Sequence, residues 1–296
     1  MAQAHLIVGA STDLETPKVR RIGISDLWDA LAKGWDDFSA MPTHAVFLCL
    51  IYPILGIALA GLTLGYSVLP LLYPLAAGFA LLGPFAAMGL YELSRRREAG
   101  AEVAASDALG VLSSPSIGAI VALGALLTAI FLIWLATANA IYIASFGYAA
   151  PASIGQFVQD VLTTPAGWKL ILVGNAVGFC FALVVLTISA ISFPLLVDRD
   201  AGAAGALLTS IRAILANPVP MALWGLIVAV LLAVGTLPLF LGLTVVLPVL
   251  GHATWHLYRK VVEPELNPRP DYRPKPQGTR HAADFPAVLF PWARER

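Results

Sequence analysis

His252 and His256 stand four positions apart in "GHATWHLYRK", residues 251 to 260, at the end of a long apolar run and just before Arg259 and Lys260. On a helix this spacing stacks two imidazoles on one face, as a zinc, copper or haem site requires. His44 opens the first apolar run, and the topology argued below returns it to the same side, so that three imidazoles would converge. The competing reading is a helix end leaving a membrane. There, His, Lys and Arg meet the helix dipole and the last carbonyls, and Trp255 and Tyr258 are the aromatics of the interface. No cysteine and no carboxylate besides Glu92 and Glu263 is near enough in this topology to complete a closed site. His44, His252 and His256 are the metal candidates, the helix-end reading is favoured, and no cofactor is expected.

Other polar residues in the apolar runs are few. Glu92 lies a helical turn from Arg95 and Arg96, where an ion pair at the membrane edge explains it. Asn139 and Asn175 sit toward the outer side of neighbouring runs, and interhelical hydrogen bonding explains them better than substrate binding. "GLTLG" at 61 to 65 and "GNAVG" at 174 to 178 have the small-residue spacing of packed membrane helices. Phosphate-binding glycine loops, the paired-histidine protease signature and a serine elbow are missing from the sequence, so no catalytic residue is assigned and a non-enzyme is expected.

Composition sets the class that must position these residues. Apolar residues make up 58% of the 296 and charged residues 12%, with mean hydropathy +0.80. A soluble domain is normally about a quarter charged, so the chain reads as an all-α, polytopic membrane protein. Cys49 and Cys180 both lie in apolar runs and form neither a metal nor a redox motif. Zero net charge argues against nucleic acid and leaves the lipid bilayer as the first partner. The N-terminus lacks the basic and apolar regions of a cleaved signal peptide.

Six runs have the length of a transmembrane helix: about 43–65, 69–93, 117–143, 168–193, 219–235 and 237–257, the last two divided only by "GTLP". With six spans, seventeen of the eighteen Lys and Arg fall on one side, leaving Lys169 alone opposite, which places both termini in the cytoplasm. Residues 1–24 form an N-terminal segment, 25–262 the membrane domain, and 263–296 a Pro-rich polar tail that has too little apolar surface for a core and ends in the apolar "FPAVLFPW".

A loose threefold repeat runs through the membrane domain. Segments "SDLWDALAKGWDDFSAMP", "SDALGVLSSP" and "GALLTSIRAILANP" precede the first, third and fifth spans, and each ends in a proline. In the first, Leu27, Trp28, Leu31, Trp35 and Phe38 form one stripe, with Asp29, Lys33, Asp36 and Asp37 elsewhere, the pattern of a helix lying in the interface; Ser25 is its expected cap. The second span of each pair carries its own proline: Pro84, Pro194 and Pro248. The unit is therefore an interfacial helix followed by a helix pair, three times, and residues 145–169 supply a further short helix on the outer side.

Taken together, "ISDLWDALAKGWDDF", "LAAGFALLGPFAAMGLYELSRRRE", "ISFPLLVDRD", "SIRAILANPVPMALW" and "VVLPVLGHATWHLYRK" resemble a bacterial, typically alphaproteobacterial, family of predicted integral membrane proteins of undefined function. The likeness runs from about Val19 to Val262. Some members carry an inferred label of cytochrome c oxidase subunit, and the family has no established catalytic residues. The resemblance implies a non-catalytic inner-membrane protein, an accessory of a respiratory complex. On that reading Trp28, Trp35 and Trp292 are docking elements and Asn139 and Asn175 packing residues. A transporter or pore for a small neutral or lipid-like solute, with helices bent at the prolines, is the alternative; a metal- or haem-handling protein is the second.

Overall fold

The computed structural model describes residues 17–41, 69–71, 73–76, 83–148, 151, 153–238 and 240–264. Their regular structure is helical: α1 (Ile24–Ala40), α2 (Gly83–Ala86), α3 (Met88–Glu98), a 3-10 helix (Ala105–Ser113), α4 (Ile117–Phe146), α5 (Ile154–Thr163), α6 (Pro165–Ser189), α7 (Ser192–Asp198), α8 (Gly202–Ala216), α9 (Pro218–Thr236) and α10 (Leu243–Val261). The expected first span, 43–65, and the tail beyond Pro264 lie outside these residues.

The long helices follow from unbroken apolar sequence and clear punctuation. α4 has 30 residues, about 45 Å of helix, and stops at Gly147, whose φ of +77° suits a residue without a side chain. α6 starts where Thr164 Oγ1 accepts the Gly167 N–H at 3.0 Å and Pro165 takes the first turn. Among the described residues three segments are long and apolar enough to cross a membrane: Ile117–Phe146, Pro165–Asp198, and Pro218–Thr236.

Pro194 separates α6 from α7 by withdrawing a backbone donor, and the neighbouring helix restores the bonding. Ser210 of α8 accepts the Ile191 N–H at 3.3 Å and donates to the Thr187 carbonyl at 2.8 Å.

Several expectations shift at their edges. The helix in the expected sixth run begins at Leu243, not 237, and continues to Val261, because residues 237, 238 and 240–242 turn, with Phe240 at φ +66°. Ser25 does not cap α1: the N-cap is Gly23, and Asp26 reaches back to accept its N–H at 2.8 Å. The second interfacial segment is a 3-10 helix, and in it Asp107 accepts the Ala104 N–H in the same way at 2.9 Å.

Three contacts follow the order of the expected repeat: α3 packs on the 3-10 helix, α7 on α8, and α10 back on α1. α3, α7 and α10 also meet one another at the centre. Two of these contacts are chemically alike. Arg96 pairs with Asp107 at 2.6 Å and Lys260 with Asp26 at 3.0 Å, and each base stands twelve residues after its unit's proline, Pro84 or Pro248.

Closure is fastened where the described chain enters and leaves. Val19 and Val262 form an antiparallel bridge, with Arg20 N–H donating to the Val261 carbonyl at 2.7 Å and Glu263 N–H to that of Lys18 at 3.0 Å. Asn217, between α8 and α9, accepts the Ile22 N–H and donates to the Arg20 carbonyl.

α1 runs antiparallel to the second half of α10, and Gly34 lets the two backbones touch. A Cβ at Gly34 would lie 2.6 Å from the Ala253 nitrogen. Gly34→Ala should therefore destabilise the protein by about 1–3 kcal/mol despite alanine's better helix propensity. Gly155→Ala, on α5 with nothing within 4 Å of the added carbon, should be neutral or slightly stabilising. Thermal unfolding of both variants in detergent checks the contrast.

Candidate functional site

α10 carries His252 and His256 one turn apart, and the helices packed on that face supply their partners. α1 brings Asp37 and α3 brings Ser94 and Arg97. Asp37 is 5% exposed; Ser94 and His252 are fully buried.

The carboxylate of Asp37 is the hub. Its Oδ2 accepts the Ser94 hydroxyl at 2.6 Å and His256 Nε2 at 2.8 Å, while Oδ1 accepts Arg97 Nη1 at 2.5 Å. A serine hydroxyl has one proton, and here the carboxylate takes it. Ser94 Oγ therefore accepts from His252 Nδ1, 2.7 Å away, which assigns the proton of a neutral His252 to Nδ1. His252 Nε2 is then a lone pair, buried and without a hydrogen-bond partner among the described residues.

Burial alone would raise the Asp37 pKa. The hydrogen bonds from His256 and Ser94, with the positive character of both histidines, outweigh it and hold the carboxyl below its usual range. The polarity of the chain also matters chemically. A nucleophilic serine gives its proton to imidazole, whereas Ser94 gives its own to Asp37 and receives one from His252. The cluster is wired to tie three helices together.

A second set of contacts joins α3, α7 and α10. Tyr258 Oη donates to Asp198 Oδ2 at 2.6 Å, and Arg199 Nη2 lies 3.1 Å from the same oxygen. Trp255 Nε1 and Arg259 Nε donate to the two oxygens of Glu98 at 2.9 and 3.0 Å. Glu92, fully buried, holds Arg95 and Arg96 at 2.8 and 2.7 Å, the ion pair the sequence suggested.

His252 and His256 share a face, and their hydrogen-bond partners are Ser94 and Asp37. Among the described residues no group of three or more His, Cys, Asp or Glu is placed to hold a metal ion. His44 and Trp292 lie outside the described residues.

Asn175 Oδ1 accepts from Tyr73 Oη at 2.9 Å and its Nδ2 donates to the Ile171 carbonyl at 2.8 Å, so it links α6 to the second-span region; Asn139 is exposed on α4. Trp28 and Trp35 are 59% and 52% exposed on the outer face of α1.

Asp37, Ser94, Arg97, Glu98 and Asp198 are site residues that the sequence does not single out. The apolar stripe of the sequence sets Asp37 on the polar side of α1, yet the buried stripe is Leu27, Ala30, Gly34, Asp37 and Phe38. The readable signal was the small pair Ala30 and Gly34, which marks the face of closest approach.

Residues 71–198 match a family described as "Predicted integral membrane protein (DUF2189)". With its three membrane-length helices, the chain is an integral membrane protein, one that sits in a lipid bilayer. The match includes Ser94, Arg97 and Asp198 and stops short of Asp37 and the histidines on either side. No curated protein and no solved structure matches the chain.

Asp37→Asn should cost about 1–3 kcal/mol, since it sets a neutral amide among donors built for a buried carboxylate, while Arg97, 38% exposed along its side chain, can turn to solvent. Because the folded pKa of Asp37 lies below its unfolded value, the stabilisation is complete above about pH 4 and is lost as pH falls through the folded value. Unfolding followed by tryptophan fluorescence from about pH 3 to 7 should show that acid loss in the parent and a flatter profile in Asp37→Asn.

Proposed function

We propose that the protein is a non-catalytic accessory or scaffold component of a bacterial inner membrane, packing by its helix faces against a larger assembly with both termini in the cytoplasm. The observation that carries this reading is α9. Only 17% of its membrane-length window is buried within the protein, and it presents Leu226, Val230 and Val234 outward with no charge along it. α4 likewise turns Val121, Leu132 and Ile133 outward. Such faces suit lipid or a partner helix, where small residues and apolar packing set association. The closed polar layer of α1, α3, α7 and α10 gives these faces a fixed mount.

The sequence resemblance makes a respiratory oxidase the assembly to try first. Tagged full-length protein extracted in mild detergent should bring oxidase or other respiratory subunits in stoichiometric amount. A chain ending at Pro264, which keeps the terminal bridge but lacks the apolar "FPAVLFPW", should lose them. If the intact protein migrates alone and colourless, the scaffold reading fails and the solute-transporter reading moves ahead.

A further inference from the structure

Where the entering segment meets the end of α10, the surface folds into an open recess of about 330 Å³ lined by Arg20, Arg21, Ile22, Asp26, Arg259 and Lys260. We propose that this recess binds a phosphate group, either free phosphate or the headgroup of an anionic phospholipid. The inference is independent of the scaffold reading.

The argument is one of donors and charge. Four of the six lining side chains are cations and one is an acid. Arg20 is positioned in advance: its Nη2 donates to the carbonyls of Arg259 and Val262 at 2.7 and 3.1 Å, which fixes the guanidinium and leaves Nε and Nη1 uncommitted among the described residues. Lys260 gives two donors to Asp26 and Asp29 at 3.0 and 2.8 Å, and the hydrogen bond to Asp29 heads the effects that raise its pKa, so it stays charged. Arg259 is shared with Glu98 and, at 3.7 Å, Asp198.

The one acid of the lining is already committed. Asp26 accepts the Gly23 N–H and Lys260, and its carboxyl is held below the usual range, first by that backbone bond. Asp26, Asp29, Glu98 and Asp198 are balanced by the four bases paired with them, Lys260, Lys33, Arg259 and Arg199, so Arg20 and Arg21 carry the surplus positive charge.

Arg21 is exposed, with no partner among the described residues. Two adjacent guanidiniums, one held rigid and one free to close, match the oxygens of a phosphate, which takes bidentate N–H pairs better than a halide does. α1 also begins at the rim, and the positive end of its dipole adds to the same field.

The test uses full-length protein in dodecyl maltoside, which carries no phosphate. Inorganic phosphate is titrated calorimetrically at constant ionic strength against chloride, and in a second arm native mass spectrometry compares retention of phosphatidylglycerol with phosphatidylcholine. Arg21→Gln removes a lining cation that the fold does not use; Lys18→Gln removes an exposed cation outside the lining.

Saturable phosphate binding that weakens about tenfold or more in Arg21→Gln and holds in Lys18→Gln establishes the site for free phosphate. Selective retention of phosphatidylglycerol with the same variant pattern, and no phosphate binding, establishes it for the lipid headgroup. Should Arg21→Gln fail to fold, Arg21→Lys, which keeps the charge and loses the fork, must weaken binding relative to the parent. Absence of saturable binding in both arms, or equal loss in the Arg21 and Lys18 variants, overturns the proposal.

Discussion

A carboxylate removed from water between helices has to be met by donors from all of them, and Asp37 imposes that condition on α1, α3 and α10 at once. Any relative slide of one helix by a turn would part Asp37 from Ser94, Arg97 or His256 and leave its buried carboxylate short of donors. The contact therefore sets register as well as proximity. Apolar packing around Leu27, Tyr91 and Trp255 supplies the driving force, but it would tolerate neighbouring registers that the charge cluster forbids.

The same logic recurs around the ring. At each junction of units a returning helix meets the interfacial helix of the next, and at two of them a base pairs with an aspartate that also holds the first turn of that helix. The prolines serve the junctions. Pro194 breaks a long apolar helix where its last two turns enter the polar layer, and a serine of the following helix accepts the bonding that the break releases. Among the described membrane-length helices the engagement is uneven: α6 packs on α4, whereas α9 turns most of its surface outward.

Hydropathy made α4, α6 and α9 legible, because their signal is local and long. It misplaced the start of α10, where the apolar run continues through a turn that only backbone geometry reveals. The threefold pattern of interfacial segments and prolines was also readable, whereas its cyclic closure was not: no local property of residues 24–40 points to residues 243–261. Asp37 shows why the site itself was hidden. A charge in a single sequence reads as solvated by default, and only the close approach permitted by Ala30 and Gly34, with donors arriving from Ser94 and Arg97 on another helix, reverses that reading. His252 and His256 were visible as a pair, but their meaning lay in partners distant along the chain.

The pairing of α1 with α10 has a consequence for biosynthesis. The helix that a ribosome makes early docks on the one it makes late, so more than two hundred residues must be made before the two can meet. Until then Asp37 has Ser94 and Arg97 of α3 but lacks His256, and the face of α1 that α10 covers is open to other chains. Trp28 and Trp35, which remain outward in the finished fold, give the waiting helix a place at the lipid interface that it need not leave when α10 arrives. Maturation then becomes a lateral docking event beside the membrane surface, timed by the emergence of the final helix.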